Sequence, residues 1–109
     1  MKETRTGLAL FLADEFQRRK TASGETFDSR KLIAAHPSYS LGTVVRVTNL
    51  RNGRAVEVRV VDRGPSPKNR KKGAVIDLSR SAAEQLDFIT EGMTRVRLEV
   101  LEWGGGRKD

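Results

Sequence analysis

The stretch TVVRVTNLRNGRAVEVRVVD, residues 43–62, carries the strongest fold signal in this 109-residue sequence. Val45 and Val47 alternate with polar residues, and every second residue from Val56 to Val60 is again valine. Alternation of this kind places one set of side chains on one face of a β-strand. Asn52-Gly53 lies between the two runs and is a preferred pair for a two-residue turn. The stretch therefore predicts a β-hairpin with a valine-rich buried face.

The segments on either side of this hairpin predict a small barrel. Short strands are predicted for residues 7–13, 74–78 and 95–101, and a helix for 79–88 with Ser79 or Ser81 as its cap. Residues 31–36 fit one helical turn before Pro37, and 18–28 and 64–73 fit loops. Five or six short strands with one clear helix favour a barrel over a layered α/β sheet.

Length and composition predict one domain without a metal or cofactor. We place the domain over residues 1–109, with its core at about 7–101 and a flexible, frayed tail at 102–109. The chain has no cysteine, which excludes disulfides and thiolate metal sites, and its single histidine disfavours a zinc site. No apolar stretch is long enough to span a membrane, and no export signal is visible.

The net charge of +7 is concentrated in the middle of the chain. Residues 41–80 carry ten Lys or Arg against three Asp or Glu. This distribution fits either a solvated basic face or a surface that attracts an anionic partner. Aromatic residues make up only 6% of the chain, without a basic and aromatic stacking platform, so we predict no nucleic-acid binding.

Asp62 follows the hairpin's second strand and is the first candidate for chemistry. It continues the inward phase of Val58 and Val60, which predicts a position at the rim of the core. Partial burial favours the protonated form of a carboxyl group, as a general acid near neutrality requires. Alternatively, an Asp before Gly64-Pro65 accepts hydrogen bonds from the turn and does nothing more. The stretch alone leaves both interpretations open.

Three segments together resemble one protein family. RKTASGETFD (19–28), AAHPSYSLGTVVRVTNLRNGR (34–54) and VVDRGP with VIDLSRSAAEQL (within 60–86) resemble the RlpA family of bacterial lytic transglycosylases, in family order and spacing. The resemblance implies a six-stranded double-psi β-barrel. It also implies cleavage of the β-1,4 bond between N-acetylmuramic acid and N-acetylglucosamine in peptide-stripped peptidoglycan. In that reaction the sugar's own C6 hydroxyl attacks C1 and leaves a 1,6-anhydro end.

The resemblance also implies which residues act. Asp62 matches the family's catalytic acid/base, while Glu25 and His36 match groups that orient the substrate or tune Asp62. A second, nucleophilic carboxylate is not required for this chemistry. The residues expected to bind substrate are Thr21, Ser23, Arg46, Arg63 and Asp77. For Asp77 a structural role is also open, either at the amide groups of the following helix or in a pair with Arg63.

The chain departs from the family pattern in places that bear on function. ALFLA (9–13) replaces a run that is aromatic and ends in glycine in the family, which puts Leu12 and Ala13 at the expected cleft. Ser66 replaces a phenylalanine, and a basic stretch lengthens the link to VIDLS. These changes keep open an alternative, a non-catalytic peptidoglycan-binding barrel of the expansin or barwin type. In either case we expect a monomer that binds peptidoglycan glycan strands in the bacterial cell envelope, although the chain shows no lipobox cysteine.

Overall fold

Six strands close into a barrel in the computed structural model, which describes residues 2–12 and 18–105. The strands are β1 (Glu3–Phe11), β2 (Ile33–Ala35), β3 (Val44–Asn49), β4 (Ala55–Asp62), β5 (Ala74–Leu78) and β6 (Met93–Glu102). Two short helices, α1 (Pro67–Lys71) and α2 (Arg80–Leu86), flank β5 along the chain. Around the barrel the order is β1-β5-β2-β4-β3-β6, with β1–β5 and β2–β4 parallel and the other pairs antiparallel. The predicted six-stranded double-psi barrel is confirmed.

The hairpin valines form the centre of the core, as their alternation predicts. Val45 and Val47 on β3 are fully buried, and Val58 and Val60 on β4 are at most 2% exposed. β6 contributes a third buried row with the same period of two. Full burial of such a side chain stabilises the fold by about 1.5–3 kcal/mol, which makes these rows the main stabilising element.

The helical turn predicted for residues 31–36 is wrong, because the chain forms strand β2 there. All three residues Ile33–Ala35 are buried. The strand lies parallel to β4 on one side and antiparallel to β5 on the other. Pairing with two strands that are distant in sequence therefore overrides the weak local preference of these apolar residues.

Residues 64–73 are not all loop, since Pro67–Lys71 form the short helix α1. The Ser66 hydroxyl accepts a hydrogen bond from the Asn69 amide (3.3 Å), and proline is well suited to the first helical position. For α2 the cap is Ser79 and not Ser81. The Ser79 hydroxyl accepts from the Ala82 amide (3.3 Å) and donates to the Lys31 carbonyl (2.6 Å), which ties α2 to the chain before β2.

The start of the predicted tail is packed. β6 continues to Glu102, and the Trp103 ring meets the Tyr39 ring edge-on at 5.4 Å. Gly104 is buried, and its amide donates to the Thr43 hydroxyl (2.9 Å). A side chain at Gly104 would clash with the backbone of Leu41, so only glycine fits there. Each of residues 102–104 is thus paired or packed against the barrel, and residues 106–109 lie outside the described part of the chain.

Candidate active site

A groove of about 730 Å³ opens where the ends of β1, β2, β4 and β5 meet. The loop before β2 forms one wall through residues 19–21, and the segment from Arg63 to α1 forms the other. Two carboxyl groups, those of Asp62 and Asp77, line it between these walls. The barrel thus brings together acids that are separated by fifteen positions in the sequence.

Asp62 is held at the rim of this groove by backbone amides. Its Oδ1 accepts hydrogen bonds from the amides of Ala22 (3.0 Å) and Arg63 (2.8 Å). An irregularity in the β2–β4 pairing places Asp62 opposite Ala35 and leaves Val61 buried beside it. No described residue hydrogen-bonds Oδ2. The carboxyl group is therefore fixed through one oxygen and can offer the other to a bound molecule.

Asp77 is the second carboxyl of the groove, on β5. Burial raises its pKa to about 6, since the charged form loses solvation there. Gly64 makes this position possible, because a Cβ on Gly64 would lie 2.9 Å from Asp77 Oδ2 and 3.3 Å from the Ala35 Cβ. The Gly64 φ of 152° also favours glycine. Asp77 therefore stays largely protonated to a higher pH than an ordinary aspartic acid.

Among the described residues, neither structural role considered for Asp77 is formed. Ser79, not Asp77, caps α2. Arg63 does not pair with Asp77 in the described structure, because its guanidinium donates to the carbonyls of His36 and Tyr39. Burial is the only cause of the raised pKa.

Asp62 and Asp77 lie on either side of the same β2 residue. Ala35 pairs with Asp62 on β4 and with Asp77 on β5. Two strand spacings place the Cα atoms of the two acids roughly 10 Å apart. Both side chains line the groove, so a bound chain can contact both. This arrangement offers to one substrate a carboxyl with a raised pKa of about 6, that of Asp77, and a second carboxyl, that of Asp62.

Glu25 lies outside the groove lining and forms an ion pair. Its two carboxylate oxygens accept from the Arg59 guanidinium at 2.8 and 3.0 Å. Hydrogen bonding to Arg59 lowers the pKa of Glu25, although partial burial opposes this. The Glu25 carbonyl accepts from the Thr21 amide (2.9 Å) and hydroxyl (2.8 Å), and the Ser23 amide donates to the Val61 carbonyl (3.0 Å). The pair therefore fastens the loop that presents the Ala22 amide to Asp62.

His36 lies buried behind the groove wall and does not line it. Its Nδ1 accepts from the amides of Ser38 and Tyr39, both at 3.1 Å, and its ring stacks on Tyr39 with centroids 3.5 Å apart. Burial lowers the pKa of His36 to about 4, so the ring is neutral at neutral pH. The His36 amide donates to the Asp62 carbonyl (3.0 Å). His36 is therefore connected to the site through its backbone hydrogen bond to Asp62, and its ring does not face the groove.

The residues expected to bind substrate divide between the groove and other places. Thr21, Arg63 and Asp77 line the groove, whereas Ser23 contacts Thr21 from behind it. Arg46 lies elsewhere on the barrel surface, with its guanidinium 3.8 Å from Glu57 and 3.9 Å from Glu99. Leu12 lines the groove as expected, and Ala13 lies outside the described residues.

Several groove residues were not singled out as binding residues from the sequence. Lys20 and Phe27 come from the loop before β2, Pro37 follows β2, and Asn69 belongs to α1. No local pattern marks them, because loop residues that border a groove have no fixed spacing. Across residues 2–12 and 18–105, no three or more acidic or histidine side chains are grouped to hold a metal ion, and no helix has the length and apolarity to cross a membrane.

Comparisons with known proteins agree with this architecture. The family model described as lytic transglycolase matches residues 6–98. The chain is 46% identical over 102 residues to the endolytic peptidoglycan transglycosylase RlpA of Campylobacter jejuni, which covers 94% of this chain and 36% of that protein. It is 50% identical over 97 residues to a probable RlpA of a Nostoc species, covering 87% of this chain and 25% of that protein. The chain therefore spans well under half the length of these relatives.

Two solved structures share the fold at lower sequence identity. The Streptomyces papain inhibitor superposes with a TM-score of 0.71 at 23% identity, covering 93% of this chain and 96% of that one. An expansin from Clavibacter michiganensis superposes with a TM-score of 0.68 at 21% identity, covering 92% of this chain and 51% of that one. At such identities the likeness concerns the fold alone.

Proposed function

Since the chain belongs to the RlpA family of lytic transglycosylases, we propose that it cleaves peptidoglycan glycan strands in the bacterial cell envelope. The bond cleaved is the β-1,4 link from N-acetylmuramic acid to N-acetylglucosamine, preferably in strands stripped of their peptides. The products carry 1,6-anhydro-muramyl ends. The reaction uses no water and is therefore that of a carbon–oxygen lyase acting on a polysaccharide.

The observation that carries this proposal is the pair of carboxyls in one groove. Protonated Asp77 donates its proton to the glycosidic oxygen as the bond from C1 to that oxygen breaks. The C6 hydroxyl oxygen then bonds to C1, and the Asp62 carboxylate takes the hydroxyl proton. Return of a proton from Asp62 to Asp77 restores the starting state. Proton donors and acceptors placed in this way contribute about 10²- to 10⁴-fold each to the rate.

This assignment refines the role that the family resemblance gives to Asp62 alone. One aspartate can serve both transfers, but burial raises the pKa of Asp77, which favours Asp77 as the proton donor. Asp62 is held by two amide donors and keeps one oxygen available to the groove. Glu25 and His36 then act as positioning residues, through the loop that carries Ala22 and through the backbone next to Asp62.

The test measures product ends formed by Asp62→Asn and Asp77→Asn on peptide-stripped strands. Mass spectrometry of 1,6-anhydro-muramyl ends should show about a 100-fold loss or more in each variant. Asp87→Asn is the matched control, because Asp87 is exposed and its φ of 60° suits asparagine. The Asp87→Asn control should retain the parent rate.

The outcomes separate this proposal from its alternatives. Full activity in Asp77→Asn with loss in Asp62→Asn would return both proton transfers to Asp62. If the parent protein binds the strands but forms no anhydro ends, the barrel is a glycan-binding module. The observation that favours this second function is Leu12, which lines the groove where the family has an aromatic run.

A further inference from the structure

One wall of the groove is a short helix with a strongly basic surface. Lys68, Arg70 and Lys71 lie on α1, and Lys72 caps it. All four side chains are exposed, and Arg70 lines the groove together with Asn69. No ion pair in the described part of the chain involves a side chain of α1. Arg70 therefore places one cation in the groove with the two acids, and the same short segment carries three further exposed cations next to it in sequence.

Three arginines of the middle segment outside α1 are already engaged by other groups. Arg59 is paired with Glu25, and Arg46 lies near Glu57 and Glu99. Arg63 donates to backbone carbonyls. The positive charge of residues 41–80 is thus distributed unevenly. The largest cluster of cations without an acidic partner in the described structure lies on α1. Across the groove, exposed Lys20 adds a cation on the opposite wall.

The helix is not maintained by core packing. None of its residues is buried, and its order comes from the Ser66 cap and from Pro67 at its start. An exposed five-residue helix adds little hydrophobic stabilisation. Its position is fixed, however, because the β5 strand that follows carries Asp77 in the same groove. Packing therefore does not account for the basic side chains of α1, and binding of an anionic ligand does.

We propose that α1, with Lys20 opposite, binds the free lactyl carboxylates of peptide-stripped muramic acid residues next to the cleaved bond. This inference rests on the proposed function, and it assigns the substrate preference to particular side chains. Removal of a stem peptide leaves one carboxylate on each muramic acid, so a stripped strand is a regular polyanion. Cations on the two walls attract this strand and offset its repulsion by Asp62 and by ionised Asp77. An amide-linked peptide at the same position removes the charge that α1 recognises.

The experiment compares two forms of one substrate. Fluorescently labelled, peptide-stripped strands are used as free acids and after conversion of the lactyl carboxylates to N-methylamides. Anisotropy at physiological ionic strength gives the Kd of each form for the parent, for Lys68→Gln/Arg70→Gln, and for Arg51→Gln/Arg54→Gln. The last variant is the matched control, since it removes the same charge from exposed arginines in the β3–β4 turn.

The expected result is a preference that depends on α1. The parent and the control should bind the acid strand roughly tenfold more tightly than the amide strand. In Lys68→Gln/Arg70→Gln the preference should fall to about twofold, with binding of the amide strand unchanged. The proposal is overturned if the parent shows no preference or if the α1 variant keeps it. It is also overturned if a single-stranded oligonucleotide of equal charge competes as well as the acid strand.

This design separates the inference from the proposed function. The binding measurement needs no turnover, so a parent that forms no anhydro ends refutes the transglycosylase proposal and still tests α1. Where the parent is active, the α1 variant should raise KM for the acid strand with kcat unchanged, because the carboxylates are bound equally before and during bond cleavage. A fall in kcat instead would place α1 in the chemistry and contradict a role in substrate selection.

Discussion

The buried carboxyl of Asp77 makes a stability prediction with a definite sign. Its pKa rises from 3.8 for the ordinary side chain to about 6 in the fold. Between these values the folded protein binds more protons than the unfolded chain, so stability falls as the pH rises through this window. A shift of this size corresponds to at most about 3 kcal/mol, and the full penalty is present above pH 6.

Asp77→Asn removes this penalty, since the amide is similar in shape and cannot ionise. At pH 8 the variant should be more stable than the parent by about 1–3 kcal/mol, and at pH 4 the two should agree within about 0.5 kcal/mol. For a domain of this length the gain corresponds to a Tm higher by roughly 5–15 °C. Urea unfolding of both proteins at pH 4, 6 and 8 measures the difference. Exposed Asp87→Asn should show no such pH-dependent gain.

Equal stability of parent and Asp77→Asn at pH 8 would refute this reasoning. So would a gain that persists unchanged at pH 4, because it would then arise from packing and not from ionisation. Either outcome would also remove the basis for Asp77 as proton donor. The proposed mechanism requires that Asp77→Asn be more stable than the parent at pH 8 and also form far fewer anhydro ends.

Three other changes test the groups around the groove. His36→Gln should gain stability relative to the parent, by at most about 3 kcal/mol, as the pH falls from 6.5 to 4, because the folded pKa of the buried ring, about 4, lies below its ordinary value. Urea unfolding of both proteins at each pH measures this difference, in which the opposite contribution of Asp77 cancels, and a difference that does not change with pH would contradict the prediction. Glu25→Gln and Arg59→Gln should each lower kcat by roughly tenfold, because each breaks the ion pair that holds the loop carrying Ala22. The charge swap Glu25→Arg/Arg59→Glu should recover part of the lost kcat, whereas an unchanged kcat in the single variants would contradict a positioning role. Gly64→Ala should lower the free energy of unfolding by about 1–3 kcal/mol and reduce turnover, because the added methyl group would press on the Asp77 carboxyl. Urea unfolding measures the first effect and the product assay the second, and parent-like values in both would contradict the contact.

The sequence predicts the parts of the fold that depend on local alternation. The hairpin has two runs of valine, and both strands form where this alternation places them, although residues 50–54 join them and not Asn52-Gly53 alone. β2 has only Ile33–Ala35, which is too short for either a helical or a strand period to be recognised. Its conformation is set by β4 and β5, which pair with it from distant positions. Such pairing leaves no signal within the segment itself.

The same distinction applies to the site. Asp62 is recognisable from its place after a buried strand and from the family motif, and it lines the groove. The partner of Glu25 is Arg59, which lies 34 positions away on the outward face of β4, and no spacing rule connects the two. The burial of Asp77 depends on the close approach of Gly64, which the sequence presents only as part of a turn. Desolvation is a tertiary property and could not be predicted from neighbouring residues.

The groove has to attract an anionic strand and still keep a proton on one acid, and these requirements conflict. A guanidinium paired with Asp77 would stabilise its charged form and lower its pKa. Arg63 is the nearest arginine along the chain to Asp62 and also lines the groove, yet it is held by the carbonyls of His36 and Tyr39. The neutral His36 ring accepts two amide hydrogen bonds that fold this turn. Arg63 is thus engaged by this turn and does not offset the effect of burial on the pKa of Asp77 in the described structure, so the positive charge in the groove comes from other cations such as Arg70.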